Sequence, residues 1–255
     1  MNVVYIVGIT QALFLSFLIF TKKQKTLADK LLVSWLLFAA LHLLFIYFMN
    51  FDQTGIYNLS KSVHTSFPLL HGPFLYMYII TSVYRQSRIK KSYFLHMLPF
   101  VMVFFINVLL VIFKEDLPKS DQESFSPHSL FLTSINVISG CIYITMSLYL
   151  IKKHQNNIRN KFSFYETIDF SWLRNLIIGM MIIWIMIIVS HFLNILRASY
   201  RSSHSLLSRG VTLFIFFILH LLPFVLSVFF TLCLINLFHN YDTASQGEDL
   251  GERSY

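Results

Sequence analysis

Seven side chains able to exchange hydrogen bonds or protons stand inside otherwise oily stretches of this sequence: His42, His71, Asn107, Asn136, His191, Asn194 and His220. An imidazole or carboxamide in hydrocarbon costs free energy unless it meets a partner or water, so each position needs an explanation. Two arrangements provide one. The seven can line a shared polar pocket and hold a ligand, or they can join helices pairwise, each bond contributing about 0.6 kcal/mol. Two of the histidines sit just ahead of a proline, His71 in "HGPF" and His220 in "HLLPF". Pro73 leaves the carbonyl of Leu69 without its helical donor, and Gly72 beside it permits a bend. Gly72, Pro73 and Pro223 are therefore expected as kinks, and such kinks in a bilayer usually face protein or a wet cavity. His64 lies seven residues before His71 on the same helical face, at the outer boundary of the run.

Other chemistries find little to work with. The last apolar run has no lysine for a Schiff base to retinal, and no apolar run holds an Asp or Glu of the kind that ion-coupled transporters and proton pumps carry. Neither His-x-x-x-His nor His-Glu-x-x-His spacing occurs in the runs. No catalytic residue, no metal and no cofactor is expected, although histidines contributed by different helices leave a shared metal or haem open. Cys141 and Cys233 both fall inside apolar runs, which argues against a disulfide framework and gives no zinc-type spacing.

The elements that must position these residues follow from composition. Of 255 residues, 56% are hydrophobic and 13% charged, against about a quarter charged in ordinary soluble domains. Seven stretches lack any charged residue: 3–20, 31–48, 66–84, 94–113, 129–151, 175–196 and 211–238. Each reaches the ~18–20 residues that cross a bilayer as a helix. The expected fold is all-α, a polytopic membrane protein with seven transmembrane helices over residues 1–238, followed by a polar, disordered cytoplasmic tail at 239–255. The first stretch is no cleaved signal, because its cations follow it in "TKKQKTLADK" instead of preceding it.

Charge sets the orientation. Alternate connections (21–30, 85–93, 152–174 and the tail) hold fourteen of the twenty Lys and Arg residues, and the others (49–65, 114–128, 197–210) hold six. The positive-inside rule then gives N-out and C-in. The +8 formal charge is read as attraction to anionic membrane lipids. The cations sit in short loops with no separate basic domain, so no direct nucleic-acid contact is expected. Trp172 and Arg174 suit an interfacial anchor at the start of the sixth span. On this topology all seven polar groups fall in the outer halves of their spans, whereas Asn236 and His96 lie well toward the inside. A pocket opening outward is the expectation that follows.

Three stretches, "HGPFLYMYI", "RIKKSYFLHMLPF" and "ETIDFSWLRNLIIGMMIIWI", resemble signature segments of bacterial membrane-bound regulators that join a seven-helix sensor region to an AraC-type helix-turn-helix domain. His71, Gly72, Pro73, Tyr76 and Tyr78 match the third-helix motif, His96 and Pro99 the next, and Trp172, Leu173 and Gly179 the start of the sixth. The resemblance implies the bacterial cytoplasmic (inner) membrane and signal reception coupled to transcription. The chain departs from that pattern after Phe238, where seventeen residues remain instead of a DNA-binding domain of ~100. The expected function is thus a sensor or receptor module that detects an external ligand or membrane signal and passes it to a cytoplasmic partner. The alternatives are a small-molecule or lipid transporter using the same pocket, and a truncated, non-functional copy. A transporter needs polar residues continuing to the inner side, where here they thin out.

Overall fold

Every regular element among the described residues is helical. The computed structural model describes residues 2–49, 54–84, 88–113, 127–161 and 171–199. It contains α1 (Asn2–Thr21), α2 (Leu27–Phe48), α3 (Thr54–Ser66), α4 (Pro68–Val83), a 3-10 turn (Lys91–Met97), α5 (Leu98–Phe113), α6 (Pro127–Lys161) and α7 (Ser171–Ser199). Four helical stretches are long and apolar enough to cross a membrane: Val3–Thr21, Leu27–Phe48, Lys91–Phe113 and Phe131–Asn157. The expected seventh span, 211–238, and the tail, 239–255, lie outside the described residues.

The turn between α1 and α2 is fastened by polar chemistry that the oily helices cannot supply. Thr26 caps α2, its hydroxyl accepting the Asp29 amide at 3.1 Å while the Asp29 carboxylate accepts the Thr26 amide at 2.8 Å. This reciprocal pairing satisfies two of the amides that a helix start leaves unbonded. The same carboxylate also takes the Thr26 hydroxyl at 2.8 Å and the Lys22 ammonium at 3.1 Å. Asp29 is the one carboxylate among the described residues. Thr26→Ala is expected to cost about 1 kcal/mol, read as a lowered thermal midpoint in detergent. An unchanged midpoint would mean that the cap does not hold the hairpin.

Two boundaries differ from the sequence expectation. The stretch 49–65, expected as a connection, holds α3, and the expected third span is the sixteen-residue α4. Pro68 explains the division. It has no amide hydrogen, so the His64 carbonyl loses its helical donor, and Leu70 bonds three residues back to the Phe67 carbonyl at 3.0 Å. Phe67 itself keeps helical angles (φ −59°, ψ −34°), so the chain's direction of winding carries through. The second difference is α6, which runs past the expected end at 151 to Lys161.

Burial singles out α4. Twelve of its residues are buried, among them Leu75, Met77 and Ile79 at 1% exposure or less. It packs against α2, α3, α5 and α6. Along α2 and α4 the paired residues run in opposite senses, Trp35 with His71 and Phe74 but His42 with His64 and Phe67, so these helices are antiparallel. Against α6 the sense is shared, with Gly72 beside Tyr143 and Tyr84 beside His154. Gly72 makes a close approach: a Cβ there would lie 2.5 Å from Tyr143 Cδ2. The α-helix continues through Gly72 and Pro73, both buried, and its assigned interruption comes earlier, at Phe67. Outward faces carry large apolar groups such as Phe14, Phe17, Phe105 and Phe113. A water-facing monomer rarely shows so continuous an apolar surface; hydrocarbon accepts it.

Candidate functional site

Residues 35, 38, 42 and 45 of α2 repeat at three- and four-residue steps, as do 64, 67, 71 and 74 across the α3–α4 junction. Such spacing places each set on one helical face. Because Phe67 stays helical, the second face continues past the break, and the two faces interlock. Phe38 meets Phe67 and Phe74 at ring-centroid distances of 6.2 and 5.4 Å, and Trp35 stacks on Phe74 at 6.5 Å. Between these rings runs a row of hydrogen bonds. Trp35 Nε1 donates to His71 Nδ1 at 3.0 Å. His71 Nε2 meets His42 Nδ1 at 3.4 Å, and His42 Nε2 meets His64 Nδ1 at 2.9 Å.

One end of the row fixes the protons of the rest. An indole nitrogen only donates, and a neutral imidazole has one donor and one acceptor nitrogen. His71 must therefore accept through Nδ1 and carry its proton on Nε2, which makes His42 Nδ1 an acceptor in turn. The same logic hands the role on to His64, whose Nε2–H is the row's last donor. All three Nδ1 lone pairs are used.

A second set of bonds reaches the same junction from α5 and α6. The Asn107 carboxamide donates to the Thr65 and Ser66 hydroxyls at 3.1 and 2.9 Å. Those hydroxyls donate onward to the Ser62 carbonyl at 2.9 and 3.0 Å, and the Ser62 hydroxyl donates to the Asn107 carbonyl at 3.4 Å. Asn136 of α6 donates to the Thr65 carbonyl at 3.4 Å, while its buried Oδ1 finds no partner among the described residues. Four of the seven expected site residues thus come together at residues 62–71: His71 lies within that segment, and His42, Asn107 and Asn136 reach it from α2, α5 and α6. The side chains of His191 and Asn194 on α7 lie outside the described residues, as do His220 and Pro223. So does the Trp172 side chain, whereas Arg174 is exposed near the start of α7.

Motif residues of α4 and of the 3-10 turn, Tyr76 and His96, form a separate cluster with Tyr143 further along α4. His96 Nδ1 and the Tyr143 hydroxyl are 3.0 Å apart, and the Tyr76 ring lies 5.4 Å from His96 and 6.3 Å from Tyr93. Family models, curated proteins and solved structures yield no match for this chain. The resemblance to membrane-bound regulators accordingly rests on its quoted motifs, two of which meet in this cluster.

Among the described residues, no group of three or more His, Cys, Asp or Glu side chains is arranged to hold a metal ion. The row itself shows why, since its ring nitrogens point at one another. Trp35, His64, Thr65 and Ser66 belong to the network without having been expected site residues. A signal existed for two of them: the shared face of His64 and His71, and the 35/38/42/45 spacing that puts Trp35 in line with His42.

Proposed function

We propose that the chain is a membrane-embedded sensor module, with seven transmembrane helices in an N-out, C-in arrangement in a bacterial cytoplasmic membrane. It registers a signal at its outer end and passes the change to a cytoplasmic partner. The observation that carries this reading is the Trp35–His71–His42–His64 row, which ties α2 to both sides of the α3–α4 break. A polar row beside a proline break is a place where two helix arrangements can differ in energy by a few hydrogen bonds. A signal shifts such a pair of arrangements only through different affinity for each. Apart from the Tyr76–His96–Tyr143 cluster, the other half of α4 is packed by the apolar Leu75, Met77, Ile79 and Ile80, all at most 6% exposed, and this favours reception over transport, which needs a continuous polar path through.

The test compares transcripts in the host lacking the gene with those after restoration by the parent chain or by the His42→Ala/His71→Ala chain at equal membrane abundance. A defined transcript set should return with the parent and fail to return with the variant. Transcripts indifferent to deletion, or restored equally by both chains, would overturn the reading.

A further inference from the structure

We propose that the signal received at the row is the proton itself. The inference rests on the sensor reading above and names its ligand. In the neutral row every Nδ1 lone pair already accepts a hydrogen bond and every Nε2 carries a hydrogen. An arriving proton has no vacant site, so it binds an Nδ1 only when the hydrogen bond to that nitrogen breaks. Taken up at His64, it displaces the His42 Nε2–H; taken up at His42, it displaces the His71 Nε2–H. Either event gives one imidazolium and one severed link, and no other bond changes. Trp35 closes the far end, because an indole N–H has no lone pair with which to relay a proton inward. The row is a dead end, suited to registering protons and unsuited to conducting them.

Among the described residues, the surroundings offer the added charge no carboxylate partner. On α1 the titratable group is Tyr5, and on α2 they are Tyr47, beyond His42, and Asp29 and Lys30 at the opposite end, Asp29 being held by Lys22 and Thr26. On α3 they are Tyr57 and Lys61, the latter a cation one turn from His64, and on α4 Tyr76 and Tyr78. Residues 98–113 of α5 carry none, and on α6 Tyr143 is engaged by His96. No carboxylate occurs on α3, α4, α5, α6 or α7. The His42 ring is 5.1 Å from His64 and 5.6 Å from His71, so a charge on one ring also repels a second on its neighbour. By linkage, the arrangement in which the row is open takes up the proton more readily than the closed one. Acidification therefore releases α2 from the α3–α4 break.

The full chain, carrying ring-15N histidine in lipid nanodiscs, provides the test. With signals of His42, His64 and His71 assigned by single substitution, all three should show the Nε2–H neutral form near pH 8. Burial holds the His64 imidazole down at about 4, so one or more rings should become doubly protonated as the pH is taken down through that value. Spin labels at Leu41→Cys and Leu59→Cys, both exposed positions, in a Cys141→Ser/Cys233→Ser chain should change separation by about 1–2 Å over the same range, the scale of interfacial helix shifts. Trp35→Phe removes the donor that orders the tautomers, and a mixture of Nδ1–H and Nε2–H forms should appear at high pH. Rings that stay neutral well below the value near 4 to which burial lowers His64, or that charge without any change in label separation, would overturn the inference. Host transcripts that depend on the chain but ignore pH would sink it while leaving the sensor reading intact. Rings that titrate as described while transcripts ignore gene deletion would remove the sensor reading and, with it, the proton as its signal.

Discussion

A Gly72→Val chain is expected to lose about 1–3 kcal/mol of stability, the usual cost of forcing extra carbon into a filled interior. At Gly72 even the first added carbon would stand 2.5, 3.0 and 3.2 Å from Cδ2, Cγ and Cβ of Tyr143. The ring has little room to retreat. Its hydroxyl is bonded to His96 at 3.0 Å, and Tyr76 flanks it at 6.3 Å. Either α4 and α6 move apart or the Tyr143–His96 bond breaks, and both outcomes loosen the most buried helix among the described residues. Thermal unfolding in detergent, followed by circular dichroism, measures the loss. Adding Tyr143→Ala should make the valine much less costly than it is against an intact Tyr143, because the two sites share one contact. If valine costs the same with and without Tyr143, the close approach is not what glycine is there for.

Removing Trp35 should cost still more. The residue is 1% exposed, stacks on Phe74 and anchors the histidine row. Trp35→Ala is expected to destabilise by about 3–5 kcal/mol, in line with other large aromatic truncations in cores. Trp35→Phe keeps most of the ring packing and forfeits the hydrogen bond to His71, at about 0.6 kcal/mol, the average for such bonds between membrane helices. The gap between the two variants separates packing from polar pairing. Equal losses would show that the hydrogen bond, not the stacked ring, holds α2 against α4.

The sequence made the helices legible to the extent that they are apolar. The expected spans 3–20, 31–48, 94–113, 129–151 and 175–196 each fall within a helical stretch, because charge-free runs of that length have few other ways to satisfy their backbone. Hydropathy is blind to a helix that is not oily. Residues 54–65 read as part of a connection because Asn58, Ser60, Lys61 and Ser62 are polar. Their helix is held by the buried Ser62 and Val63 and by the Asn107 bonds to Thr65 and Ser66. The overrun of α6 into "KKHQNNIRNK" was hidden for the same reason.

Site residues were legible by type and depth but not by rotation. His42, His71, Asn107 and Asn136 were each conspicuous as polar groups in apolar runs, yet depth alone leaves neighbours undecided. The 35/38/42/45 spacing puts Trp35 in line with His42, but which residues that face meets is decided only by the partner face on α3 and α4 continuing through Pro68. Gly72 illustrates the converse. Beside a proline it suggests a hinge, whereas its contact with Tyr143 can be seen only when α6 is in place.

The length of α6 has a mechanical consequence. From Tyr143, where the helix bears on Gly72, to its end at Lys161 the rod extends ~27 Å at 1.5 Å per residue. With the Gly72 contact as fulcrum, a tilt of ~5° would sweep the far tip through about 2 Å. A rearrangement too slight to disturb the packing near α4 would thus arrive magnified beyond Lys152 and Lys153, at the end of the lever furthest from where it began.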